Sequence, residues 1–294
     1  MQSLSSQVDK STSSLPSVRA GSRKNRVYVF REFLHRTYGD YLKAPGAVIL
    51  DVAGGKGDLS WVLCNVDRLN SVVIDPRVTQ SKHILRSIQY LREHPEEAKE
   101  RAIPGLLTYQ PLAAIIPGLE GRGENFEPPQ HLRLLVNDDL VTAVQEYQNH
   151  KCTSRWVGFW TKATQRALET HTLGYKEDPG PCSGRIIEDS FMALQTILSA
   201  KLVVGFHPDQ ATDPAIELAL ALQIPYCIVP CCVYPREFPH RRTLEGDRVR
   251  DYSGLVQYLK AKYNPNEDIL PFFFTETAKN LVLYSLPKEM RPVS

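Results

Sequence analysis

The sequence predicts an α/β fold: a doubly wound, mostly parallel sheet of seven strands that ends in an antiparallel pair. Three observations carry this expectation. Short apolar runs alternate with stretches whose apolar residues recur at helical spacing. A glycine-rich loop joins the first run directly to a helix. The last two runs follow one another with only a short turn between them.

The elements are expected in the following order. Residues 1–22 hold eight serines and few bulky apolar groups, which predicts a disordered tail. Val27, Phe30, Leu34, Tyr38 and Tyr41 fall on one helical face, so residues 23–44 read as a basic helix with Arg31 and Arg36 on its other face. A single domain over 45–288 follows. Ala47–Val52 has the continuous apolar character of a strand buried on both sides, and Leu59, Val62, Leu63 and Val66 repeat as a helix that Asp58 could cap. Ser71–Asp75 is a second strand, about 79–100 a helix that Pro95 could shorten, and Leu132–Val136 a third strand. Residues 141–185 read as an insertion. Helix at 187–198, strand at 201–206, helix at 211–222, strand at 224–229 and helix at 252–263 restore the alternation, and strands at 269–274 and 280–285 close it.

Composition narrows the function classes. The chain has 294 residues, 42% hydrophobic, with a net charge of +2, so no whole-molecule basic field advertises nucleic acid. Local fields differ. Basic residues cluster in segments 19–36 and 236–250, the latter holding Arg236, His240, Arg241, Arg242, Arg248 and Arg250. Six cysteines without Cys-x-x-Cys spacing point to reduced, intracellular thiols in cytoplasm or nucleus. The Ser-rich, acid-poor start is also compatible with a mitochondrial transit peptide. No apolar run is long enough for a membrane span.

The chemistry centres on Asp51-Val-Ala-Gly-Gly-Lys-Gly-Asp58. Glycines between a strand and a helix let a ligand approach main-chain N–H groups, and Asp75 lies 18 residues beyond Gly57, near the offset at which an acid reaches ribose hydroxyls. A nucleoside cofactor follows. Pyrophosphate prefers a helix N-terminus free of negative charge, whereas this loop is bracketed by Asp51 and Asp58. The bracket disfavours a nicotinamide dinucleotide and suits a cofactor bearing ammonium and sulfonium charges.

These residues resemble motif I of the class I S-adenosylmethionine-dependent methyltransferases, a Rossmann-like family. Gly55 and Gly57 match its glycines, Ala53 stands at the first glycine position, and Gly54 lies between. The resemblance spans roughly residues 27–288 and implies cofactor binding by Asp51, Ala53, Gly54, Gly55, Gly57, Asp75, Pro76 and Asp138, the last within the Asn137–Asp139 adenine position. Val204-Gly-Phe-His-Pro-Asp-Gln-Ala-Thr-Asp213 and Val229-Pro-Cys-Cys-Val233 are similar to elements of a subgroup that includes tRNA ribose methyltransferases.

On the acceptor side, His207 and Asp209 at the end of the fourth strand are the candidates for positioning the acceptor or taking its proton. Cys231 admits three readings: core packing, a thiolate attacking a pyrimidine, or a metal ligand with His207. Adjacent cysteines with no second pair at chelating spacing predict no metal. Trp156, Phe159 and Trp160 suit either packing or base stacking. The expected activity is methyl transfer from S-adenosylmethionine, with RNA as the favoured acceptor and a protein side chain next. A non-catalytic RNA-associated module and a nicotinamide-dependent oxidoreductase are the rivals.

Overall fold

The computed structural model describes residues 25–96, 110–120, 125–172, 184–270 and 279–290; the expected tail at 1–22 lies outside them. Its strands are β1 (Val48–Val52), β2 (Asn70–Ile74), β3 (Gln130–Leu132), β4 (Arg185–Ile186), β5 (Ala200–Phe206), β6 (Tyr226–Val229), β7 (Asn266–Ile269) and β8 (Leu281–Tyr284). They form one sheet in the order β4-β3-β2-β1-β5-β6-β8-β7. The pairs from β4 to β6 are parallel; β8 runs antiparallel to both β6 and β7. The α/β class, the mostly parallel sheet and the antiparallel close are as expected. An eighth strand, the two-residue β4, is added at the edge.

The helices among the described residues are α1 (Arg26–Tyr38), α2 (Asp58–Asn65), α3 (Lys82–Glu93), α4 (Ile115–Leu119), α5 (Asp138–His150), α6 (Thr153–Thr172), α7 (Ser190–Leu198), α8 (Thr212–Leu222) and α9 (Tyr252–Tyr263). Strand side chains alternate between faces, so the sheet feeds two cores. Val48, Leu50, Val52, Val203 and Ile228 pack with Val144, Trp156, Leu194, Ile216 and Leu255 from α5 to α9. Ile49, Leu202, Val204 and Val229 pack on the other side with Phe30, Leu34, Trp61 and Ile88 from α1 to α3.

Several boundaries move for local physical reasons. The third strand is Gln130–Leu132 rather than 132–136: the Asp75 amide bonds the Leu132 carbonyl, and Pro76 has no N–H to extend the ladder. Helix α3 stops at Glu93 because His94, the residue before Pro95, is driven out of helical geometry. Asp58 does not cap α2. Gly57, at φ 80°, is the capping residue and Asp58 is the first residue of the helix. Strand β7 lies at Asn266–Ile269, just upstream of the expected 269–274, of which 271–274 fall outside the described residues.

Residues 138–172, expected within an insertion from 141 onward, form α5 and α6, whose apolar faces join the first core. Trp156 is 2% exposed and donates its indole N–H to the Ser190 carbonyl at 2.7 Å; Trp160 is also buried. Both indoles are therefore packing residues and offer no base-stacking platform. Helix α1 turns one of its charges inward. Arg31 is buried and ion-paired with Asp67, which His35 also contacts, and Arg36 pairs with Asp268. Of the basic segment 19–36, Arg31 is thereby unavailable to a polyanion; residues 19–24 lie outside the described part.

Candidate functional site

A cavity of about 620 Å³ opens at the carboxyl ends of the central strands. Such a position is where open α/β sheets place ligands, and the size lies within the range of small-molecule sites. Its wall comes from Ala53 after β1, Asp75–Arg77 after β2, Leu134–Asp138 after β3, Pro208–Ala211 after β5, and Tyr234, Glu237 and Phe238 after β6. Of the residues expected to bind cofactor, Ala53, Asp75, Pro76 and Asp138 line it. Asp209 lines it from the acceptor side.

The loop after β1 is shaped by its backbone. Ala53 sits at φ 52°, left-handed geometry that a Cβ disfavours and that glycine adopts freely. A Cβ on Gly54 would fall 2.7 Å from the Asp51 carboxylate. Gly54 thus lets the chain fold closely over Asp51. The Gly55 amide donates to Asp75 Oδ2 at 2.9 Å, which ties the loop to the end of β2. Gly54, Gly55 and Gly57 shape the loop and do not line the cavity.

Neither acid bracketing the loop reaches the cavity, which corrects the expected electrostatics. Asp51 is 1% exposed, accepts a hydrogen bond from the Ser60 hydroxyl at 2.9 Å, and has its Oδ1 buried without a partner. Burial, reinforced by the charges of Asp75 and Asp58 and opposed by Ser60, pushes its carboxyl up to about 7. Asp58 pairs with His83 at 3.0 Å. Among the described residues, the negative charge at the cavity comes instead from Asp75, Asp138, Asp209 and Glu237, against the guanidinium of Arg77. Nothing in the sequence spacing points to Arg77. Its Nε and Nη2 donate to the two Asp75 oxygens at 2.9 Å each, and its amide adds a third bond at 2.9 Å.

The Asp51 shift has a testable consequence. A carboxyl with an ordinary value of 3.8 that titrates near 7 when folded keeps its proton after the unfolded chain has lost it. Its contribution to stability therefore falls as pH rises from about 4 to 7, by at most roughly 4 kcal/mol, and is flat above. His207 slopes the opposite way over about 4 to 6.5, so the wild-type profile partly cancels. Asp51→Asn is expected to gain stability relative to wild type between pH 4.5 and 7 in urea titrations. A pH-independent difference would refute the assignment.

The acceptor-side residues divide. After β5 the chain makes a strained turn, with His207 at φ 60° and Asp209 at φ 51°. That turn sends Asp209 to the cavity and His207 elsewhere. The His207 ring lies 4.5 Å from the Phe206 ring, whose other neighbours are Phe30 and the Arg26 guanidinium. Burial, with the Arg26 and Lys279 charges outweighing Asp209, pulls its imidazole down to about 4. Off the cavity wall and weakly basic, His207 is poorly placed as the general base. Cys231 is buried, and its thiol donates to Asp209 Oδ1 at 3.1 Å. Burial and the adjacent carboxylate push the thiol well up, so it is not the thiolate that attack on a pyrimidine would require.

Beyond β6, Arg241 is 1% exposed and pairs with Asp213, the acid of the Ala-Thr-Asp element. It is a structural ion, which removes it from the exposed charge of the basic cluster at 236–250. Arg236, Arg242 and Arg250 remain exposed there, as do His240 and Arg248. Asp213 also accepts from Tyr258 and Tyr263 at 2.9 and 3.1 Å.

A second cleft, about 680 Å³, separates α5 from α6. Its Arg155 and Arg166 are paired with Glu146 and Asp139; it shares Leu135 and Asn137 with the first cavity but holds none of the residues of the Asp51–Asp58 loop or of the turn after β5. Among the described helices none is long and apolar enough to cross a membrane. No protein-family model, curated protein or solved structure matches the chain.

Proposed function

We propose that the chain is a class I, Rossmann-like doubly wound methyltransferase that transfers a methyl group from S-adenosylmethionine, with RNA as acceptor. The observation that carries this reading is the charge of the cavity: four carboxylates and one guanidinium, among the described residues, at the carboxyl ends of the strands. That balance attracts a cationic nucleoside and repels a pyrophosphate. The sheet order, with β8 antiparallel between β6 and β7, supports the same family.

Asp75 would hold the ribose, and the Leu134–Asp138 wall would face the adenine. The chain's main contribution to the reaction is orientation, since methyl transfer requires an in-line approach of acceptor and methyl group. With His207 off the cavity wall, Asp209, on the same turn and lining the cavity, is placed to take the acceptor's proton. The exposed cations of 236–250 adjoin Glu237 and Phe238 on the cavity wall and suit a polyanionic acceptor.

The placement of His207 also favours a second reading, a cofactor-binding module without turnover. Tritium-labelled S-adenosylmethionine incubated with the protein and fractionated cellular RNA and protein separates the two. Methyl transfer is expected in an RNA fraction. Calorimetric binding without transfer supports the module, and binding of NAD in place of S-adenosylmethionine would overturn both readings.

A further inference from the structure

We propose that Asp209, Cys231 and Cys232 form a site for a thiophilic divalent cation of the zinc type, with one coordination position open to the cavity. One carboxylate oxygen and the two sulfurs lie within 4.8 Å of one another. Zinc–sulfur bonds of ~2.3 Å and zinc–oxygen bonds of ~2.0–2.2 Å place tetrahedral ligand atoms roughly 3.5–3.8 Å apart. Small side-chain rotations close that gap. Adjacent residues of an extended strand point to opposite faces, but Cys231 and Cys232 lie past the end of β6, just before the left-handed Tyr234, and their sulfurs converge. Asp209 arrives from the strained turn after β5.

The hydrogen bond at the centre of the cluster fits the same role. The Cys231 thiol proton sits between sulfur and Asp209 Oδ1 across 3.1 Å, where a cation would bridge the same two atoms. On binding, two thiol protons leave to solvent and two metal–sulfur bonds form. Three protein ligands leave a fourth position, the arrangement of catalytic rather than structural zinc. Asp209 and Tyr234 both line the cavity, so that position faces it. A cation there would acidify a bound hydroxyl, which is the help that His207 is not placed to give.

Cobalt(II), a spectroscopic stand-in for zinc, tests the site without any methyl donor, so the outcome is independent of the methyltransferase reading. Reduced full-length protein titrated with cobalt chloride is expected to take up one tightly held ion. Tetrahedral ligand-field bands and a sulfur-to-cobalt charge-transfer band should appear, and zinc should abolish both. Cys232→Ser is expected to lose the charge-transfer intensity of one thiolate, and Asp209→Asn to weaken binding at least tenfold, with circular dichroism confirming that each variant is folded. Should Cys232→Ser fail to fold, the affinity of the exposed Asp209 variant decides alone. A wild-type spectrum of octahedral aqueous cobalt, or bands unchanged in the folded variants, would overturn the proposal.

Discussion

Replacing Asp75 with alanine is expected to weaken S-adenosylmethionine binding by roughly a hundredfold, about 3 kcal/mol, in a calorimetric titration. Two ribose hydroxyls bonded to one carboxylate account for that magnitude, since hydrogen bonds to charged groups contribute about 1.5–3 kcal/mol each. The carboxylate is not idle without ligand. Its two oxygens accept from the Gly55 amide and from the amide, Nε and Nη2 of Arg77, which fills about four acceptor positions. Ribose must therefore displace the Arg77 side chain, which is 44% exposed and can swing outward. Arg77→Ala serves as the control: it keeps the carboxylate, removes the competitor, and is expected to bind the cofactor a few times more tightly. Wild-type affinity in a folded Asp75→Ala protein would refute the role given to Asp75.

Arg241→Ala is expected to destabilise the fold by about 3–5 kcal/mol, read from the urea midpoint. The guanidinium is buried, pairs with Asp213, donates to the Val233 carbonyl at 2.9 Å and stacks 3.7 Å from the Phe238 ring centroid. Alanine leaves Asp213, itself only 7% exposed, with Lys262 at 3.4 Å as its nearest remaining cation among the described residues. Because Lys262 is also held by Glu217, compensation is partial and the lower end of the range is expected. Adding Asp213→Asn should recover part of the loss, because the uncompensated charge causes most of it. A loss below about 1 kcal/mol would show that the pair is not essential to the fold. The same residues anchor the 233–250 segment, whose Glu237 and Phe238 line the cavity, so cofactor binding should weaken along with stability.

The β1–loop–α2 unit was legible in the chain because its signals are local. Five consecutive buried residues, a run of glycines and a 3.6-residue period each dictate their own conformation. The same holds for β5, β6 and α9, whose apolar spacing matches the observed elements closely. The short β4 left no signal, since two exposed residues carry no period. The length and Gly/Pro-rich end of the 141–185 segment gave no sign that its Val144, Trp156 and Trp160 pack into the first core.

By itself the sequence determined the α/β class, the mostly parallel sheet, its antiparallel close and the glycine loop between β1 and α2. Those follow from short-range patterning. Only the tertiary structure decided which charges face the cavity: Asp51 sealed beneath Gly54, Asp75 held by Arg77, His207 left off the cavity wall that Asp209 lines, and Cys231 brought to an acid 22 residues distant. A side chain's direction past a strand end depends on one or two backbone angles, and a buried charge depends on partners far along the chain. Neither is written in spacing.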